Sequence, residues 1–369
     1  MRKFVSFLSE NKETKCRIAN KAYSALIFLF CLITSCSFEK ETGYLFYDTG
    51  KTMYFPVKQG AIYVQGIKKD SNDVFIFVDY RTRKEITFYN KEGLLHNAIN
   101  FDSLCSMEGR YFKDCYVSDG NIILLTEKNN HVIVLNADGL LQERYFYDDM
   151  RNILEQEFSP ILYLQDSILY VSTTSYKRNM GINLTEGIVW CDNWKDTNGM
   201  RNVVDSFYSR FLSNYDVAVE FPHFYILDSM IIITSYYSDS VYCYNLKGVL
   251  DSAFCVKSDF FSTKINPVTG KMLIKDDNAI NHNLWNNSWI EKIIYDKYQG
   301  LFYCFICGPQ KEKKYRDFSI VVYDDKFSPI FEQMFDGKKY ASSCYVNESG
   351  LYLMKTDSKY CSFSLFTIK

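Results

Sequence analysis

TFYNKEGLL (87–95), IVLNADGLL (133–141) and YCYNLKGVL (242–250) are three copies of one phrase. Each runs through apolar residues to an asparagine, passes two variable positions, reaches a glycine and ends in a paired apolar step. A fourth, degenerate copy is VVYDDKFSPI (321–330), where Asp324 replaces the asparagine and the glycine is missing. Gly93 and Gly139 are 46 residues apart, and Gly139 and Gly248 are 109 apart, which is two units of about 54. Self-similarity at such a period, with several strands per unit, marks a propeller blade. An outer hairpin must turn tightly, so Asn and Gly are expected where the backbone goes left-handed. One blade cannot bury both faces of its sheet, so blades must stack around an axis over an aromatic core.

Short β-branched and aromatic runs fill the rest of the chain. DVFIFVDY (73–80), NIILLTE (121–127), SILYVSTT (167–174), MIIITSYY (230–237), GLFYCFI (300–306) and GLYLMKT (350–356) read as strands bounded by Asn, Asp, Gly or Lys. Helical periodicity is confined to two stretches, near Asp149–Phe158 and Val203–Asn214. The fold class is therefore all-β, a propeller of four-stranded antiparallel blades. Blades are expected at 61–103, 112–147, 161–207, 219–257, 273–335 and 340–369. Six blades of about 55 residues fit the length, and seven of about 48 are the alternative. The last unit is too short for four strands, so 44–57 (YLFYDTGKTMYFPV) is expected to donate the closing one. That makes 44–369 a single propeller domain.

Composition excludes more than it identifies. The 369 residues carry a net charge of −2, and the six basic and two acidic residues of 1–21 move the remainder to about −6. A nucleic-acid footprint has no support in that balance. Of twelve cysteines, Cys16, Cys31 and Cys36 belong to the N-terminal segment, leaving an odd nine without regular spacing. Several sit inside apolar runs, where Cys packs as a small hydrophobe.

The N-terminus has its own logic. Arg2, Lys3, Lys12, Lys15, Arg17 and Lys21 precede an uncharged apolar run from Ala22 to Ile33. About 20 apolar residues are needed to cross a bilayer, so this run reads as a signal peptide, 1–35. Ile33, Thr34, Ser35 and Cys36 resemble a bacterial lipobox, in which two small residues lead to the cysteine that is lipidated and becomes the new N-terminus. Residues 36–43 would then be a tether. Two or three acyl chains hold a protein stably at a membrane, whereas one does so only marginally. Ser37, Phe38, Glu39, Lys40 and Glu41 look like the signals that send lipoproteins of the Bacteroides group to the outer membrane.

The blade phrase, the lipobox and EKIIYDKYQGLFYCF (291–305) together resemble a lipoprotein family of Bacteroides and its relatives, of unknown function, with a six-bladed TolB-like or NHL-like propeller. That family repeats a Tyr-Asp-x-Tyr step before an aromatic strand, matched here by Tyr295, Asp296 and Tyr298. The resemblance brings no catalytic residue.

Candidate sites are few. Cys304 and Cys307 form one C-x-x-C inside an apparent strand, where residues three apart point to opposite faces, so packing is expected in place of zinc or redox chemistry. His96, His131, His223 and His282 are scattered, and no metal or other cofactor is expected. NHNLWNNSW (281–289) sets Trp285 and Trp289 beside Asn283 in a polar connection. Such rings stack on sugars or plug a rim beneath a loop. SYKRNMGINLTEG (175–187) reads as a long insertion offering Lys177 and Arg178 to an anion, and Arg81 and Arg83 sit on a turn.

These observations point to a lipid-anchored envelope protein, at the outer membrane with exposure on its outer face as a further expectation, that binds a partner protein, peptide or glycan without catalysis. The alternative is a hydrolase or lyase acting on polysaccharide, whose carboxylates and tyrosines converge only in three dimensions.

Overall fold

The computed structural model describes residues 44–57, 61–69, 72–79, 85–100, 112–118, 121–126, 131–146, 162–165, 168–177, 184–193, 201–204, 216–217, 223–227, 229–235, 238–263, 268–276, 279–312 and 315–369. Strand β1 (Phe46–Phe55) opens the chain of elements but pairs last. The first sheet holds β2 (Ala61–Lys69), β3 (Asn72–Asp79), β4 (Glu85–Asn90) and β5 (Leu95–Asn100). The second holds β6 (Phe112–Ser118), β7 (Asn121–Thr126), β8 (His131–Leu135) and β9 (Leu141–Phe146). In the third are β10 (Leu162–Gln165), β11 (Ile168–Lys177), β12 (Leu184–Asn193) and β13 (Arg201–Val204). After a two-residue strand, β14 (Asp216–Val217), the fourth comprises β15 (His223–Leu227), β16 (Met230–Thr234), β17 (Ser240–Asn245) and β18 (Leu250–Cys255).

Then β19 (Val268–Thr269), which pairs with β14, leads into helices α1 (Gly270–Lys275) and α2 (Ala279–Asn286). The fifth sheet is β20 (Trp289–Asp296), β21 (Leu301–Glu312), β22 (Tyr315–Tyr323) and β23 (Pro329–Phe335). Last come β24 (Tyr340–Asn347), β25 (Gly350–Lys355) and β26 (Cys361–Ile368), against which β1 completes a sixth four-stranded sheet. Every pairing is antiparallel, and the chain is an all-β propeller.

Innermost strands β24, β2, β6 and β10 touch in that order, as do β15 and β20. The core accordingly lies between sheets. Phe55, Tyr63, Phe75, Phe77, Tyr345 and Phe363 fill the space between sixth and first sheets, while Ile76, Ile86, Ile99, Ile122, Leu124 and Ile133 fill the next. Middle strands are covered on both faces and so read as unbroken apolar runs: Val74–Val78 in β3 and Ile122–Leu124 in β7 are all buried. Fourth strands are covered less, which is why β18 is mostly exposed.

The repeated phrase is the turn from the third to the fourth strand. Only its glycine is left-handed, at φ 75° for Gly93, 77° for Gly139 and 78° for Gly248. The asparagine works differently from the expectation above: its side-chain oxygen accepts backbone N–H groups across the turn. Asn136 Oδ1 takes those of Asp138 (3.0 Å) and Leu140 (2.9 Å), and Asn245 Oδ1 takes those of Lys247 (2.9 Å) and Val249 (3.1 Å). The Gly93 and Gly139 turns then rest on the fourth strand of the preceding sheet. A Cβ on Gly93 would run into the carbonyl of Tyr54 in β1, and one on Gly139 into the Ile99 side chain of β5. Asn97 of β5 also donates to the Asp138 carbonyl at 2.5 Å.

The degenerate copy keeps the turn with different parts. Asp324 Oδ1 accepts from Lys326 (2.9 Å) and Ser328 (2.7 Å), and Phe327 takes the left-handed position at φ 59°. Its ring is stacked between Phe254 of β18 and Phe302 of β21, with centroids 4.4 Å away on each side. A side chain in that conformation costs roughly 1–2 kcal/mol, which aromatic contacts of about 0.5–1.5 kcal/mol each offset.

Three sequence expectations change. The fifth unit begins its sheet at Trp289, not near 273, because 268–286 form β19 and the helices. Most of 175–187 is strand, belonging to β11 and β12. Of the two stretches with helical periodicity, Val203 and Val204 lie in β13, and the others lie outside the described residues. Among the described residues no helix is long and apolar enough to cross a membrane.

Phe327 supplies a stability test. Phe327→Ala keeps the strained backbone and loses the stack, whereas Phe327→Gly loses both strain and stack. In urea unfolding the Ala variant should be the less stable of the two, by about 1 kcal/mol. An Ala variant as stable as the Gly variant would contradict the assignment.

Candidate functional site

Helix α2 stands at the head of the fifth sheet and carries two of the polar-stretch residues singled out above. Trp285 is 46% exposed, its ring 5.6 Å from that of His282, whose Nδ1 lies 2.9 Å from Asp276 Oδ2. Asn283 is half-buried, and its carbonyl accepts from the Asn287 side chain at 2.6 Å. Trp289 goes elsewhere. It opens β20, is buried, and has the Arg316 guanidinium 4.3 Å from its ring centre. The expected pair of neighbouring tryptophans is thus split by the helix end, one ring toward solvent and the other beneath an arginine.

Arg316 holds this end together. Its guanidinium donates to the Gly308 carbonyl of β21 (3.1 Å) and to the Leu284 carbonyl (2.9 Å), one of the last carbonyls of α2, which have no partner inside the helix. A short helix of eight residues is marginal alone; tied to the sheet by Arg316, it presents Trp285 on a fixed support.

Deeper along β20, a second group joins the fifth and sixth sheets. The β20–β21 register slips between Ile290 and Lys292, placing Glu291 at an irregularity of the innermost strand. Glu291 accepts from Ser342 Oγ (2.8 Å) and from Cys307 Sγ (3.0 Å), and Lys292 Nζ donates to the Ser342 carbonyl (2.7 Å). Burial works to depress the Lys292 pKa, but attraction to Cys344 and Glu291 outweighs it and the net shift is upward. Cys344 is pushed up by burial more than Lys292 lowers it, and Cys307 is pushed up by burial and by Glu291. Both are neutral thiols at neutral pH. An activated cysteine needs the opposite shift, and this cluster joins two blades; it holds no thiolate nucleophile.

Buried carboxylates are committed in the same manner. Asp296 receives Tyr303 OH (2.6 Å) on one oxygen and the Tyr298 (2.9 Å) and Gln299 (3.2 Å) amides on the other. Asp73 receives Tyr345 OH (2.6 Å) and Asn347 Nδ2 (2.8 Å) across the joint between first and sixth sheets. The Tyr-Asp-x-Tyr step is therefore a hairpin cap. Among the described residues no three His, Cys, Asp or Glu side chains gather as metal ligands. Cys304 and Cys307 are free and buried in β21, as packing required.

Lys177 ends β11, while Arg178, Arg81, Arg83 and Cys36 lie outside the described residues. Every blade runs through the same meander, so the turn after a second strand emerges at the end where first strands begin. The paired ends of β11 and β12 at Lys177 and Leu184 and helix α2 therefore share one end of the propeller. The Arg316–Trp289 stack and the Glu291 cluster were not foreseen. Their members are 27 or more residues apart or sit at a strand irregularity, and neither leaves a periodic trace.

No family model matches the chain, and no curated protein matches it. Its fold is similar to that of a DUF4221 family protein from Bacteroides vulgatus, with a TM-score of 0.69 at 17% identity over 89% of this chain and 99% of that one. It is also similar to a putative exported protein from Bacteroides fragilis, with a TM-score of 0.52 at 12% identity over 88% and 95% of the two chains. At such identities the likeness shows the fold.

Thiol protection tests the site geometry. Alkylation at pH 8, followed by peptide mass mapping, should modify exposed Cys255 while sparing Cys304, Cys307 and Cys361, the last held up to about 12 by burial. Unfolded thiols ionise near 8.5, so these buried ones contribute stability that is lost as pH rises above that value. Equal labelling of Cys307 and Cys255 would contradict the packing.

Proposed function

We propose that this chain is a lipid-anchored, six-bladed propeller of the outer membrane that binds a partner protein, peptide or glycan and performs no catalysis. The single observation that carries the binding reading is Trp285, exposed on a helix that Arg316 fixes to the sheet head. A large aromatic left in water on a rigid support, beside Asn283 and His282, suits stacking on a sugar ring or an apolar peptide side chain. It lies at the propeller end that also carries the paired ends of β11 and β12 at Lys177 and Leu184; Lys177 and Arg178 are candidates for anionic groups of the same ligand. The anchor rests on Cys36 and the small residues before it, and exposure on the outer face rests on Glu39, Lys40 and Glu41.

The lipidated protein, solubilised in detergent, should recognise members of a glycan or peptide array. Trp285→Ala should weaken that binding by about 1 kcal/mol or more with little change in unfolding midpoint, since the ring is half in water. Cys36→Ala should abolish incorporation of labelled fatty acid. Silence on both arrays would overturn the binding reading, and an unlabelled wild type would overturn the anchor.

A further inference from the structure

The paired apolar step after each turn has no use in the core. Leu94 is 65% exposed, Leu140 61% and Val249 57%, and the residues after them, Leu95, Leu141 and Leu250, are exposed as well. These positions are structurally equivalent: the carbonyls of Leu94, Leu140 and Val249 accept from Asn90, Asn136 and Asn245 (3.0, 3.0 and 2.9 Å) across the same turn. The closing sheet has no such turn, because its third and fourth strands come from opposite ends of the chain. There Leu45 takes the place of Leu94: it exchanges two backbone hydrogen bonds of 3.0 Å with Lys369 and is 49% exposed. Four sheets thus set an aliphatic side chain in water at one repeated position. The fifth has Ser328 there.

The exposed positions recur from sheet to sheet. The Gly93 turn rests on Tyr54 of the sixth sheet and the Gly139 turn on Ile99 of the first, and Tyr54, Leu94, Leu95, Leu140 and Leu141 are all exposed. At its head, Tyr44 and Tyr47 are exposed too, with the Lys369 ammonium 3.6 Å from the Tyr47 ring centre. Aromatic rings beside lysine are the side chains that settle at a membrane–water boundary. The described chain begins at Tyr44, inside this row, and Cys36 lies nine residues before Leu45. Nine extended residues span at most about 30 Å, so an acyl group on Cys36 keeps this rim near the membrane.

We propose that the rim formed by Leu45, Leu94, Leu140 and Val249, with Tyr44 and Tyr47, rests on the lipid bilayer surface. This rests on the lipid-anchor reading above. It explains why the repeat conserves an apolar pair where packing does not need one, and it directs Trp285, at the other end of the innermost strands, away from the lipid.

The test uses the full lipidated chain in vesicles of phosphatidylethanolamine and phosphatidylglycerol, with bromine on the acyl chains as a contact quencher of tryptophan. Leu94→Trp and Leu140→Trp are compared with the wild type, whose exposed tryptophan ring among the described residues is Trp285. Each added tryptophan should lose at least half its emission to the bromines, while wild-type emission changes little. Circular dichroism confirms that both variants fold. Unquenched rim tryptophans in a protein that carries labelled fatty acid would overturn the rim and leave the anchor standing. Quenched rim tryptophans in a protein without fatty acid would support the rim and remove the anchor. Equal quenching of wild type and variants would overturn the rim orientation.

Discussion

Leu45 and Lys369, next to the start and at the end of the described chain, exchange two backbone hydrogen bonds of 3.0 Å. On that pairing the ring depends. A propeller made of one chain has a seam wherever its ends meet, and an open seam would leave the strand edge of β26 and two aromatic faces in water. Here β1 covers β26 from Phe46 to Phe55. The neighbouring sheet then clamps the seam from the side, because the Gln333 amide accepts from Phe46 N–H (2.7 Å) and donates to Phe46 C=O (3.1 Å). The Phe46 ring packs edge-on against Tyr303 and Phe331 of the same fifth sheet.

Elsewhere a covalent turn does what this seam does with two chain ends. Where the turn must lie against backbone, as at Gly93 on Tyr54, no side chain fits and glycine is required. Where the neighbours leave room, as between the fourth and fifth sheets, Phe327 fills it and bears the left-handed strain. Glycine and phenylalanine are thus two solutions to one constraint, the distance between the turn and the preceding fourth strand. The same repetition sets Leu94, Leu140 and Val249 outward, so the element that locks the blades also decorates one rim.

Much of this was legible in the chain. Turn spacing and strand runs give the boundaries of every sheet but the fifth within a few residues, because a blade must repeat and its middle strands must be apolar on both faces; the fifth starts at Trp289, not near the expected 273. The closing role of 44–57 follows from a strand deficit at the C-terminus. Less could be read where tertiary contacts override local pattern. Residues 279–286 are polar and rich in Asn, poor helix formers, yet they form α2 because Arg316, 32 residues from Leu284, takes up its carbonyl. Trp285 and Trp289 look alike in sequence, and only the end of that helix decides which one meets water. The Glu291 group depends on a register slip, which no periodicity announces.

The central claim is that closure by β1 governs the stability of the whole ring. Its most direct measurement is urea unfolding of the chain lacking residues 44–57, followed by tyrosine fluorescence and far-ultraviolet circular dichroism together. The account predicts loss of the single cooperative transition, with exposed edges and aggregation. A transition unchanged in midpoint and slope would contradict it, since the remaining sheets would then be stable with the seam open.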